Sequence, residues 1–324
     1  MMFSLSGPSE VEGVVDVLII GSGPAGMTAA VYASRKKLST AIVSMDLGGQ
    51  VAWTLGIENY MGYQYITGRE LTGKFEEQVR QFQIPIVMDE VKELKIGRDL
   101  FTAVTAGGRT IEARTIIIAT GKRPMELGLP DERKFVGRGL SYCATCDGPL
   151  FANMDVAVIG GGNSAVQAAI EMGQVASKVF IVSRSPWSAD AVVVDKANQV
   201  KNLEKRAGYD ILEVLGENKV DGLRIRDKGS GKEEMIAVKG VFVEIGLRPN
   251  TEFLKGLVDM NQYGEIIVDC QCRTKIPGLY AAGDVTTVHE KQIVVAAGEG
   301  AKAALSAHEH LLRKWSITSV ARGT

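Results

Sequence analysis

Cys143 and Cys146 stand two residues apart in SYCATCDGPL (141–150), and Asp147 follows at once. Three chemistries suit such a triplet: half of a metal site, a structural disulfide, or a pair of thiols that exchanges electrons. A zinc site would need Cys270 and Cys272 of VDCQCRT as its other arm. A single residue between paired cysteines is fewer than the roughly two to four usual in structural zinc sites. Those two cysteines read instead as small buried side chains on one face of a strand. A disulfide between Cys143 and Cys146 closes so small a ring that it constrains the unfolded chain little. A reversible redox pair is the better reading. The thiolate is the reactive form, C-x-x-C spacing can lower a thiol's pKa, and an adjacent carboxylate can carry the proton that exchange releases.

Glycine turns of the nucleotide-binding type must position this pair. VDVLIIGSGPAGMTAAVYASRKK (15–37) is a continuous apolar run of buried-strand type, then a glycine turn, then small and apolar residues at helical spacing. Gly21, Gly23 and Gly26, with Ser22, Pro24 and Ala25 between them, fit G-x-G-x-x-G. The first glycine makes the turn, the second lets backbone N–H groups approach a pyrophosphate, and the third lets the helix pack on the strand. MDVAVIGGGNSAVQAAIEMG (154–173) repeats the layout about 140 residues later, with Gly160, Gly161, Gly162, Asn163, Ser164 and Ala165. This second turn either binds a nucleotide or keeps the shape of a duplicated fold that has lost its ligand. Beyond the next strand, FIVSRSPWSAD carries no acid at the tip, only Arg184, which weighs slightly toward NADPH over NADH. Two strand–turn–helix units predict an α/β protein of two doubly wound, nucleotide-binding (Rossmann-like) domains. No low-complexity linker separates them, so the expected crossings are short, near 122–126 and 246–252.

The chain has 324 residues, 45% hydrophobic and 23% charged, with a formal net charge of −1. That is the composition of a soluble globular protein with no basic field for nucleic acid. The longest apolar runs are too short to cross a bilayer, and MMFSLSGPSEVEG lacks the charged and apolar regions of a signal peptide. The expected location is cytoplasmic, with neither membrane nor nucleic acid as a partner. There, a close cysteine pair points to metal binding or catalysis.

GSGPAG (21–26), GGQ (48–50), ENY (58–60), ATG (119–121), CATCDG (143–148), GGGNSA (160–165), IGLRPNT (245–251) and AAGDV (281–285) jointly resemble the low-molecular-weight thioredoxin reductase family. The resemblance runs from about Val14 to Arg313. GDVTTVHEKQIVVAAGEGAKAAL (283–305) is also similar to the flavoprotein component of alkyl hydroperoxide reductase. That component carries thioredoxin-like modules ahead of its first strand; with about fourteen residues there, no self-contained relay is expected in this chain.

The resemblance implies FAD, its pyrophosphate on Gly21, Gly23, Pro24, Ala25 and Gly26, with Gln50 and Asn59 near the flavin. It brings in Ala119, Thr120 and Gly121 of ATG, Gly283 with Asp284 on the ribityl or phosphate part, and Lys291 with Gln292 at the ring. It implies a discontinuous FAD domain, 1–124 with 250–324. A middle domain, 125–249, then carries the cysteines and the pyridine nucleotide and rotates to present each to the flavin. Cys146 is then the thiol nearest the flavin, Cys143 the one that attacks a protein disulfide, and Asp147 the acid. The acceptor is thioredoxin or a similar dithiol protein, and the assembly a homodimer.

Two departures bear on the donor. NADPH-using members carry two adjacent arginines after a histidine and a third a few residues on; here Ser183–Ala189 retain Arg184 alone. Trp53 falls where the family has small polar residues, and an indole stacked on the flavin would fill the nicotinamide's place. The donor is therefore NADPH, through Gly160, Gly162, Asn163, Ser164, Ala165 and Arg184, or a non-nicotinamide carrier such as ferredoxin. The alternatives are an NADH-linked reductase of a peroxiredoxin system and a flavin redox sensor without turnover. His289 lies beside the flavin segment, His308 and His310 on the solvated face of the last helix, and Trp315 at its end as a packing anchor.

Overall fold

The computed structural model describes residues 11–54 and 56–321, with no account of the side chains of Trp53 or 315–321. The readings placed on the Trp53 indole and on Trp315 thus lie outside the described residues. The chain divides into two compact units. One takes the chain up to Ala52, Arg69–Arg123, and everything from Arg248; the other takes Trp53–Gly68 and Pro124–Leu247.

In the first unit, strand Val15–Ile20 lies between Thr40–Ser44 and Thr110–Ile118, with Ile86–Met88 and Leu279–Ala281 outside them, all parallel. Phe101–Thr105 and Val91–Ile96 extend the sheet antiparallel along the first half of Thr110–Ile118. Leu18, Ile19, Ile116 and Ile117 are all fully buried. A strand covered on both faces reads as a continuous apolar run because neither side meets water. Helices Pro24–Arg35 and Ile293–Ala321 pack against each other through small residues. A Cβ at Gly300 would lie 2.0 Å from the Ala25 carbonyl oxygen. Gly300→Ala is expected to force the helices apart, costing about 1–3 kcal/mol or more. A lower urea midpoint with an unchanged slope checks this; an unchanged midpoint refutes the close approach.

The second unit holds a parallel sheet in the order Leu203–Ala207, Lys178–Ser183, Asp155–Ile159, Gly240–Val243, Leu140–Ser141. A separate antiparallel sheet comprises Tyr209–Leu215, Gly222–Asp227 and Glu233–Ala237. Helix Asn163–Met172 buries Ala165, Val166, Ala168, Ala169 and Met172 on the parallel sheet, so each glycine turn joins a buried strand to a buried helix, as the α/β reading expects.

Two expectations are corrected. VDCQCRT is not a strand with both thiols on one face. The Asp269 carboxylate accepts the N–H groups of Gln271 (2.8 Å) and Arg273 (2.9 Å) and makes a tight turn, a local competition at which aspartate excels. Cys270 is left exposed and Cys272 buried, the latter at φ 62°. His310 is not on a solvated face: its Nε2 is buried without a partner among the described residues, and burial lowers its pKa. No described helix is long and apolar enough to cross a membrane.

Candidate active site

Cys143 and Cys146 form a disulfide, with Cα atoms 5.3 Å apart. Cys143 is extended and caps the single helical turn Ala144–Asp147. Its Sγ accepts the Cys146 N–H at 3.2 Å, and its carbonyl accepts the Asp147 N–H at 3.1 Å. Both sulfurs belong to half-buried residues, whereas Asp147 is only 4% exposed. Ser141, at the end of its short strand, ties the acid to the pair. Its Oγ accepts the Cys143 N–H (3.1 Å) and donates to Asp147 Oδ2 (2.6 Å). Tyr142 anchors the approach by donating to Glu132 Oε1 at 2.9 Å. Glu132 in turn accepts the N–H groups of Leu127 (2.8 Å) and Gly128 (2.9 Å). Burial, followed by the Glu132 charge, pushes the Tyr142 phenol well above its usual pKa, so it stays a donor at neutral pH. A thiol pair beside a buried carboxylate on a rigid turn can exchange electrons and protons together.

The first glycine turn, in the other unit, fits a dinucleotide's pyrophosphate. Helix Pro24–Arg35 opens at Gly23 with no side-chain cap, and a Cβ there would meet nothing within 4 Å. Among the described residues no side chain caps the first N–H groups of the helix, which leaves them to an anion. Gly21 has φ 108°, and a Cβ on it would lie 2.3 Å from the Ala119 carbonyl oxygen, which places ATG against GSGPAG. Thr120 donates to the Asn250 carbonyl oxygen (2.8 Å), and the Asn250 amide N–H donates to that of Thr120 (2.8 Å). Asn250 also donates its backbone N–H to the Gly121 carbonyl oxygen. Gly283 comes within contact of Ala25 and donates to Glu299 at 2.8 Å. Gln50 lies in the short helix Gly49–Trp53, whose Gly49 faces Gly23.

Asp284 is a half-buried carboxylate to which no described residue donates, and burial raises its pKa. Lys291 and Lys122 oppose that rise and meet Glu265 at 3.1 and 2.5 Å. An undonated carboxylate suits a ligand hydroxyl. Gln292 opens the turn into the last helix by accepting the Ala296 N–H. Asn59 lies in Trp53–Gly68, counted with the other unit.

The second turn is less open. Gly162 also lacks a side-chain cap. However, the segment after strand Lys178–Ser183 folds onto the turn: Ser188 N–H donates to the Gly161 carbonyl oxygen (2.8 Å), and Asp190 and Asn163 exchange two bonds of 2.8 and 3.0 Å. Trp187 packs beside Gly161, its Nε1 buried without a partner among the described residues, and Lys205 lies over its ring at 4.4 Å. Arg184 points to Asp210 at 3.2 Å on the surface.

Two residues escaped the sequence reading. Asp46, just past strand Thr40–Ser44, sits where an acid binds ribose hydroxyls in such folds. Its place about 20 residues after GSGPAG was the available signal. Glu244 follows strand Gly240–Val243 and accepts from Ser164 Oγ at 2.5 Å and from the Ala144 N–H at 3.4 Å. The signal there was one carboxylate ending an apolar run.

Residues 15–300 match the family described as pyridine nucleotide-disulphide oxidoreductase. The F component of the alkyl hydroperoxide reductase of Pseudomonas putida is 45% identical over 308 residues. A protein named NADH dehydrogenase from Ferdinandcohnia aciditolerans is 40% identical over 300 residues. Each alignment covers 92% of this chain and 58% of the relative, so the chain spans less than two thirds of their length. The solved thioredoxin reductase of Streptococcus pyogenes MGAS5005 matches with a TM-score of 0.88 at 38% identity, over 94% of this chain and 100% of that one.

Proposed function

The chain belongs to the pyridine nucleotide-disulphide oxidoreductase family, whose flavin-dependent members use FAD, and on that footing we propose that it reduces protein disulfides through Cys143 and Cys146. The observation that carries this reading is the Cys143–Cys146 disulfide tied through Ser141 to the buried Asp147. The acceptor is a dithiol protein of the thioredoxin kind or one feeding a peroxidase, by likeness to the two groups of relatives. We assign FAD to the unit that holds Gly21–Gly26 and Asp284, with Asp46 on its ribose. When bound, FAD supplies two-electron transfer between a soluble donor and the disulfide.

The residues supply the rest. Two electrons and one proton break the Cys143–Cys146 bond and leave one thiolate and one thiol. The Cys143 thiolate attacks a sulfur of the acceptor disulfide and forms a mixed disulfide, releasing an acceptor thiolate that Asp147 is placed to protonate with a second proton taken up from solvent. Cys146, losing its proton, then attacks Cys143 and frees the second acceptor thiolate, which takes that proton. Two electrons and two protons reach the acceptor in all. An acceptor of the thioredoxin kind sits near about −270 mV, so the donor must lie at or below that potential.

The donor reading favours NADH. Arg184 is the single arginine of its loop and is engaged by Asp210, so little is left to hold a 2′-phosphate. The relative named NADH dehydrogenase points the same way. In anaerobic stopped-flow mixing, NADH is expected to bleach the flavin at a concentration at least about tenfold lower than NADPH, one lost charge-assisted contact being worth about that factor. A preference for NADPH, or reduction by ferredoxin alone, overturns it.

A further inference from the structure

Glu244 has no part in the thiol chemistry, yet it touches both the cysteine turn and the second glycine turn. Its backbone continues strand Gly240–Val243, and its N–H donates to the Ile159 carbonyl oxygen at 2.8 Å. That places it at the carboxyl end of adjacent parallel strands, where ligands of such sheets gather. A Cβ on Gly160 would lie 2.3 Å from the Glu244 carbonyl oxygen, so the residue abuts the turn itself. From there the side chain accepts the Ser164 hydroxyl at 2.5 Å. Ser164 belongs to the first turn of helix Asn163–Met172, ten residues long, whose N-cap Gly162 offers no side chain of its own. The carboxylate therefore brings negative charge to the positive end of this helix. A dinucleotide's phosphates seek that same end.

We propose that Glu244 is an internal competitor for the anion seat of the second glycine turn, and that a pyridine dinucleotide binds there with uptake of a proton by Glu244. This rests on the reading that the donor is a pyridine dinucleotide. Ionised, the carboxylate repels the phosphates and engages Ser164; protonated, it keeps its contacts and loses its charge. Among the described residues the charged group facing it is Glu171, a like charge on helix Asn163–Met172 that itself accepts from Thr145 at 3.1 Å. Helix Ala144–Asp147 presents only the Ala144 N–H. Burial raises the carboxyl's pKa, Ser164 and Ala144 oppose the rise, and Glu171 adds to it. The sign follows. Below that raised pKa the seat is neutral and binding is strongest. Above it each bound dinucleotide must recruit a proton, so affinity falls by about tenfold per pH unit, the limit for one linked proton.

The test uses the FAD-loaded protein and NAD+, which cannot reduce the flavin. Calorimetric titrations run from about pH 5.5 to 8.5 in buffers of different ionisation enthalpy read affinity and proton uptake together. The expected result is a dissociation constant that climbs with pH, with uptake approaching one proton. Glu244→Gln keeps the shape and is expected to abolish both the slope and the uptake and to bind at least about tenfold more tightly at the upper pH. Tight binding with no pH slope in the unmodified protein, or the same slope in the glutamine variant, overturns the role of Glu244 and leaves the donor reading standing. No binding of NAD+ or NADP+ by either protein at any pH overturns both. Absence of proton uptake by the unmodified protein overturns the role of Glu244 even if the variant does not fold.

Discussion

Serine at Cys143 or at Cys146 abolishes disulfide reduction, with a loss of more than about 10³-fold, because a hydroxyl neither forms the mixed disulfide nor resolves it. The double substitution is expected to be no worse than either single one, since residues that act as a unit lose their effect together. Serine at Cys270 or Cys272 provides the control. Cys272 is 0% exposed, and burial above all pushes its thiol up to about 12. It is not a thiolate at neutral pH and has no exchange chemistry to lose. Its thiol makes one long contact, 3.5 Å, to the Glu299 carbonyl oxygen, which a serine hydroxyl can replace. Turnover with a small aromatic disulfide and with a protein disulfide separates these cases. Appreciable protein-disulfide reduction by either Cys143 or Cys146 variant would sink the mechanism.

Asp147→Asn lowers turnover by about 10²-fold, the low end of what general acid–base catalysis contributes. The substitution isolates proton transfer. The asparagine amide keeps an oxygen for the Ser141 hydroxyl, so the 2.6 Å bond that ties the turn together survives in kind. FAD content and the oxidised Cys143–Cys146 bond are therefore expected to be unchanged. The loss falls on the rate constant of the thiol-exchange step and not on acceptor binding, so kcat falls while KM holds. An unchanged kcat would assign the proton to water.

The two strand–turn–helix units were legible in residue order alone. GSGPAG and GGGNSA each follow a run of apolar residues that only a strand covered on both faces requires, and the three small positions leave room for one kind of turn. The pairing of Cys143 with Cys146 was legible as well, because a spacing of two residues within one helical turn brings the sulfurs together whatever the rest of the fold does. Local competition was harder to see: VDCQCRT alternates like a strand, but the Asp269 side chain captures two N–H groups and turns the chain. Long-range placement could not be seen at all. Ser164 and Glu244 are 80 residues apart, and Arg184 and Asp210 are 26 apart. The parallel order of the sheet sets Gly240–Val243 beside Asp155–Ile159, and that order alone brings a carboxylate to the second glycine turn. Sequence spacing determines chemistry where the partners share one turn of backbone; where they sit on different strands, a partner is chosen by the packing of buried faces, which no local pattern encodes.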